Sequence, residues 1–265
     1  MNKALTHIRL SLTVVSIFFI LLPLLVTIPA SFTAANYASF PPKGFSLQWY
    51  AKLLERPEFV QAFLYSLQFA VLTAVISVVL GTLAAIGIAK YDIPGKAAIT
   101  SFLTSPLSVP QVVLGIALLI YLLPLAIAGT PMGFLIAHVV ISVPYVVRLV
   151  LTGLTGFDYN VEKAAMILGA NPWTVFWKIT LPLIRPAMFS GALFSFLTSF
   201  DNVTVSLFMI SPEVRTIPLE IFSRIQDAYE PVVASISAVI IFISAILIVI
   251  LERLHGIGKL VDKGY

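Results

Sequence analysis

Few side chains in this chain can do chemistry, and those that can sit in unusual surroundings. Asp201 and Asn202 lie about fifteen residues into an apolar run that starts near Pro186, and His138 lies inside another. A carboxylate beside a primary amide offers acceptors and donors, a set suited to an ammonium group. An ionisable residue inside a bilayer costs a few kcal/mol and usually faces a cavity or a partner. Asp201 is expected near mid-membrane, at about 1.5 Å per helical residue. Two readings of it stand: it lines a translocation path and favours a cation, or it bonds to a neighbouring helix or subunit. His138 is expected to hydrogen-bond to a neighbouring helix rather than relay protons. Arg148, near the end of its run, is expected to snorkel to the headgroups.

Catalytic sets are missing. There is no Gly-x-x-x-x-Gly-Lys-Ser/Thr loop for nucleotide phosphates. No cluster of His and carboxylates suggests a metal site, and nothing supports Ser-His-Asp catalysis. The chain has no cysteine, which excludes disulfides, thiolate metal sites and a cysteine nucleophile. A membrane enzyme is not expected.

The elements that must position these residues follow from charge spacing. Of 265 residues, 59% are hydrophobic and 11% charged, against about 25% charged in a soluble domain. Long stretches without Asp, Glu, Lys or Arg separate Arg9 from Lys43, Glu58 from Lys90, Lys96 from Arg148, and Glu230 from Glu252. A crossing helix needs about 20 apolar residues, so the stretch from Lys96 to Arg148 holds two, turning at Ala128-Gly129-Thr130-Pro131. The prediction is an all-α integral membrane protein with six transmembrane helices: 10–35, 59–89, 98–126, 132–156, 186–210 and 231–253. Barrel strands would alternate apolar and polar residues, and these runs do not. Lys3, His7 and Arg9 before the first run mimic a secretion signal, but the run exceeds a cleaved apolar region, so an uncleaved first helix is expected.

With the N-terminus inside, eleven of the sixteen Lys and Arg fall on inner segments, placing both termini and residues 157–182 in the cytoplasm. The basic residues are scattered among loops, so no nucleic-acid partner is expected. Residues 47–54 read as a short interfacial helix anchored by Trp49 and Tyr50. Ser77, Gly81, Ala85 and Ala89 recur every four residues and permit close helix packing, with a path along that stripe as the alternative. Pro106, Pro110 and Pro144 are expected to kink their helices. The outer segment 211–230, with four acids, reads as a solvated loop or a docking surface for an external partner. One membrane domain over 1–265 is the simplest organisation.

Between the fourth and fifth spans lies a polar segment built to pack. Asp158 or Asn160 can cap a helix over Val161–Leu168. Gly169 stands where a left-handed cap is expected. Asn171 caps again, with Pro172 at the first position of a second helix carrying Trp173, Phe176 and Trp177. Pro182 and Pro186 lead into the fifth span. Such a helix-turn-helix either grips a soluble partner or lies on the inner leaflet with its tryptophans in the interface.

Lys163-Ala164-Ala165, three residues, Gly169, nine residues, then Ile179-Thr180-Leu181-Pro182 resembles the cytoplasmic signature of permease subunits of binding-protein-dependent ATP-binding cassette importers. The spacing matches throughout. The departure is Lys163, where an acid usually sits; Glu162 precedes it and either substitutes or leaves that contact absent. The resemblance implies the type I importer permease fold, with a core region over 59–255 and a coupling segment over 158–182. It implies ATPase coupling through Glu162, Lys163, Ala164, Ala165, Gly169, Ile179, Leu181 and Pro182; the candidate solute path at Asp201 and Asn202 rests instead on their polarity within the fifth span. It also implies a second permease subunit, two copies of a cytoplasmic ATPase that hold the ATP and Mg, an external solute-binding protein, and residence in a bacterial inner membrane. The chain itself is expected to bind no cofactor. Ser199–Phe208 and Ile217–Phe222 look like the polyamine branch, with amino-phosphonate, opine-like and ferric-ion solutes open. A self-contained secondary transporter and a non-transporting scaffold are the competing functions; the former would need coupling-ion sites and usually internal repeats.

Overall fold

The computed structural model describes residues 3–37, 39–211, 213–227 and 230–255. These are helical throughout apart from turns, loops and one isolated bridge between Ser211 and Val214. The helices are α1 (Lys3–Ala30), α2 (Gln48–Glu55), α3 (Pro57–Lys90), α4 (Lys96–Thr104), α5 (Gln111–Leu122) and α6 (Pro131–Thr155). They continue with α7 (Tyr159–Ile167), α8 (Pro172–Val175), α9 (Leu181–Phe200), α10 (Thr204–Phe208), α11 (Ile217–Asp227) and α12 (Pro231–His255). Four stretches are long and apolar enough to cross a membrane: Thr6–Ala30, Pro57–Lys90, Pro131–Thr155 and Pro172–Phe200. The pair α4 and α5 is long and apolar enough only when taken together across a bend of 104°, the geometry of a broken span or a re-entrant loop, and α12 lies where the sixth is expected.

Several expectations are corrected. The third span is broken rather than kinked. A 3-10 turn over Ser105–Leu107 follows α4, and Pro110, which lacks an N–H, stands immediately before α5. By contrast α6 runs unbroken through Pro144, because neighbouring groups can satisfy a membrane helix around a proline. The fifth span does not continue to 210: α9 stops at Phe200, and Asn202 caps a new short helix, α10. The first helix begins seven residues and ends five residues earlier than 10–35. The segment 211–230 is not simply a solvated loop, since α11 fills most of it and Glu220 is buried opposite Arg215. α2 forms where expected, but Trp49 is buried and its indole N–H donates to the Thr33 carbonyl at 3.0 Å.

The chain forms two units, each described by itself. In the unit of 1–60 and 221–265, α12 packs on α1 and α2. Ser235 donates to the Ser31 carbonyl at 3.1 Å, and Arg56 pairs with Glu230 at 3.0 Å. The lipid-type surface of α1 is exposed from Ile8 through Leu22.

The unit Gln61–Glu220 holds most of the core. α6 and α9 pack along each other, and Val146, Val150, Leu154 and Ile184 bury together with Ala85 of α3. A Cβ on Gly81 would fall 2.6 Å from the Val146 Cβ. The stripe of small residues on α3 is therefore a packing seam, since only a missing side chain admits Val146 so closely. A second cluster joins Phe69, Leu122, Phe134, Ile141, Val205 and Met209. At 34 residues α3 is about 50 Å long, more than the roughly 30 Å hydrocarbon core. Its end at Lys90 therefore projects into the polar layer.

Candidate functional site

The polar segment after α6 folds by the capping chemistry expected of it. The Asp158 carboxylate accepts from the Asn160 N–H at 2.9 Å and starts α7. Gly169 has φ +90°, in the left-handed region, and its N–H donates to the Met166 carbonyl at 3.0 Å. Asn171 Oδ1 accepts from the Thr174 N–H at 2.8 Å, and Pro172 occupies the first turn of α8. The second element is not a separate helix. α8 passes through a π turn at Phe176–Thr180 directly into α9, so Pro182 lies in the first turn of α9. One continuous helical rod runs from the second arm of the hairpin into α9.

The signature residues divide between two faces. Lys163, Ala164 and Gly169 are exposed, as is Pro182; Ala165, Ile179 and Leu181 are half-buried. Glu162 turns inward and is 7% exposed. Its two oxygens accept from Lys90 Nζ at 2.7 and 2.9 Å, and one also accepts from the Thr180 hydroxyl. It therefore does not stand on the surface beside Lys163. Sequence reasoning missed Lys90 and Thr180, since no local pattern relates positions so far apart. It also missed Ile167 and Leu168, 85% and 87% exposed. Trp173 and Met166, on the two arms of the same hairpin, are exposed as well. Large apolar side chains held in water mark a docking or membrane surface.

Deeper in the unit, Asp201 and Asn202 meet an open cavity of about 430 Å³. Gln111, Tyr145, Phe194, Thr198 and Thr204 share its wall. Asp201 is exposed at the end of α9, so it is not inside a helix as expected. Asn202 is buried and largely committed to the fold. Its Oδ1 accepts from the Val205 N–H at 2.9 Å, and its amide donates to Gln111 Oε1 at 3.1 Å. Tyr145 and Phe194 stack with centroids 6.0 Å apart. One free carboxylate beside an aromatic pair can hold a cation by charge and by the ring faces.

His138 is fully buried and stacks on Phe134 at 4.0 Å. Its Nδ1 lies 2.8 Å from Ser199 Oγ and its Nε2 3.0 Å from Ser206 Oγ. Ser206 gives its own proton to the Asn202 carbonyl at 2.7 Å, so the ring donates through Nε2–H and accepts at Nδ1. The histidine ties α6 to both sides of the break after α9. Arg148 is exposed and lines a second cavity of about 370 Å³ with Thr100, Thr104, Ser108, Thr152 and Thr155.

Comparison with known proteins places this architecture. The chain is 33% identical over 235 residues to the spermidine/putrescine transport system permease protein PotC of Haemophilus influenzae, covering 88% of this chain and 90% of that one. It is 32% identical over 240 residues to the putrescine transport system permease protein PotI of Escherichia coli, covering 88% and 85%. A bacterial ABC transporter involved in the import of the acidic polysaccharide alginate shares the fold, with TM-score 0.75, 16% identity, and coverage of 95% and 96%. Residues 77–257 match the family described as binding-protein-dependent transport system inner membrane component, and the chain is a multi-pass membrane protein that belongs to it.

Proposed function

We propose that the chain is one of two permease subunits of an ATP-driven importer and carries a cationic polyamine. The observation that carries the solute reading is Asp201. It is an exposed carboxylate just past the end of α9, on the wall of a cavity that also holds the Tyr145–Phe194 pair. The named relatives are a spermidine/putrescine permease and a putrescine permease, and a flexible di- or polyamine matches a carboxylate with aromatic neighbours. Oxyanionic solutes such as phosphonates would meet repulsion at Asp201.

The energy source is a separate chain. The exposed apolar residues of the hairpin, Ile167, Leu168 and Trp173, suit a groove on a cytoplasmic ATPase, two copies of which would hold the ATP and Mg. Both termini and the hairpin then face the cytoplasm, a reading that the excess of Lys and Arg on those segments supports. An external binding protein delivers solute on the other side. Nucleotide binding closes the ATPase pair and swings the permease pair between outward- and inward-facing states.

Purification from the native membrane tests this. The chain should co-elute with an ATPase and a second permease, and ATP hydrolysis should rise when polyamine-loaded binding protein is added. Elution without an ATPase, with solute uptake intact, overturns the proposal.

A further inference from the structure

We propose that Lys90, Glu162 and Thr180 form a clamp that holds the hairpin in phase with two membrane helices, which makes Lys90 a positioning residue for energy transfer. The proposal rests on the ATP-driven reading above. Three elements meet at this point. Lys90 ends α3, Glu162 lies on α7, and Thr180 ends the π turn before α9.

The contacts close a triangle. Lys90 Nζ donates to Glu162 Oε1 and Oε2 at 2.7 and 2.9 Å, and to Thr180 Oγ1 at 3.3 Å. The Thr180 hydroxyl donates to Glu162 Oε1. An ammonium has three protons, and here three acceptors meet them. Glu162 and Thr180 are both buried. The group joins positions 72 and 90 residues apart in the chain.

The π turn gives the clamp something to hold. The Leu181 N–H bonds to the Phe176 carbonyl, one residue further back than in an α-helix. Relaxing that turn to α geometry removes one residue of phase, which rotates everything before it by about 100° relative to α9. Such a turn is a weak point in a rod that must carry load. Thr180 sits at its end, and its bonds to Glu162 and Lys90 fix that phase against α7 and α3. A push on the hairpin then reaches α3 and α9 together.

A purely structural ion pair would behave differently. Removing one partner of a buried pair strands a charge and destabilises the protein, whereas replacing both with apolar groups is often neutral. Coupling and folding therefore separate in the double variant Lys90→Met, Glu162→Met. The readout is solute imported per ATP hydrolysed, measured with the complete complex in proteoliposomes using putrescine as the probe. The double variant should assemble and hydrolyse ATP, while that ratio falls about tenfold, within the range of coupling between linked sites. The exchanged pair, Lys90→Glu with Glu162→Lys, should recover most of it. Thr180→Val keeps the ion pair and should lower the ratio by a smaller factor, a readout that survives if the double variant misfolds. An unchanged ratio in the double variant or in Thr180→Val overturns the clamp, as does an exchanged pair that recovers nothing. A wild-type complex that imports without ATP instead overturns the importer reading on which the clamp rests.

Discussion

Asn202 donates to Gln111 at 3.1 Å, so the break after α9 is bonded to the first residue of α5. Two interruptions of the membrane helices, one ending at Pro110 and one after Phe200, are thereby joined at the rim of a single cavity. Asn202 also accepts from the Val205 N–H, which starts α10. Asn202→Ala removes both roles. The loss of the cap costs about 1 kcal/mol, and the lost side-chain bond adds about 0.6 kcal/mol in a membrane setting. A lowered thermal midpoint of the detergent-solubilised protein checks this; Asn202→Asp, which keeps the cap, should lose less.

Asp201 has no such structural work. Asp201→Asn preserves size and should leave assembly and thermal stability unchanged. Uptake of putrescine should fall about tenfold, equivalent to ~1.4 kcal/mol of lost attraction. Unchanged uptake in a normally assembled complex would show that the carboxylate does not meet the solute.

His138 is braced by two serines on either side of the helix break. His138→Phe removes the ring's two hydrogen bonds, while Ser206 keeps the Asn202 carbonyl and Ser199 keeps Thr73; it should destabilise the protein by about 1 kcal/mol, at about 0.6 kcal/mol per membrane hydrogen bond. His138→Gln, which can both donate and accept, should recover part of the loss. The measurement is again the thermal midpoint. Transport that depended on proton transfer through the ring would not recover with glutamine.

Gly169 and Gly87 make a matched pair, since a Cβ on either meets nothing within 4 Å. Only Gly169 has a positive φ. Gly169→Ala should destabilise by about 1–2 kcal/mol through backbone strain. Gly87→Ala, inside α3, should be neutral or stabilising by up to about 1 kcal/mol. Equal effects at the two sites, by thermal denaturation, would contradict the backbone argument.

The helical class and the hairpin were legible from local signals. Runs without charged residues set the spans, and Asp158, Gly169, Asn171 and Pro172 announce caps whose geometry depends on a few adjacent atoms. The break at Phe200 was hidden because Val203 to Phe208 is as apolar as a continuing span. The π turn left no compositional mark either, so α8 looked separate from α9. The site was less legible than the fold. Asp201 stood out by charge, but Gln111 and Tyr145, which line the same cavity, come from other helices. Lys90 looked like an ordinary basic residue at a helix end, and its pairing with Glu162 is visible only in three dimensions.

The most direct measurement is accumulation of labelled putrescine by the complete complex in proteoliposomes, comparing the wild-type chain with an Ile167→Asp, Leu168→Asp variant. Both residues are exposed at the hairpin tip, so folding should not suffer. The wild type should concentrate solute only when ATP reaches the ATPase face, and the variant should neither retain the ATPase nor accumulate solute. Accumulation driven by an ion gradient without ATP, or a variant that imports normally, would contradict transmission of energy through residues 158–182.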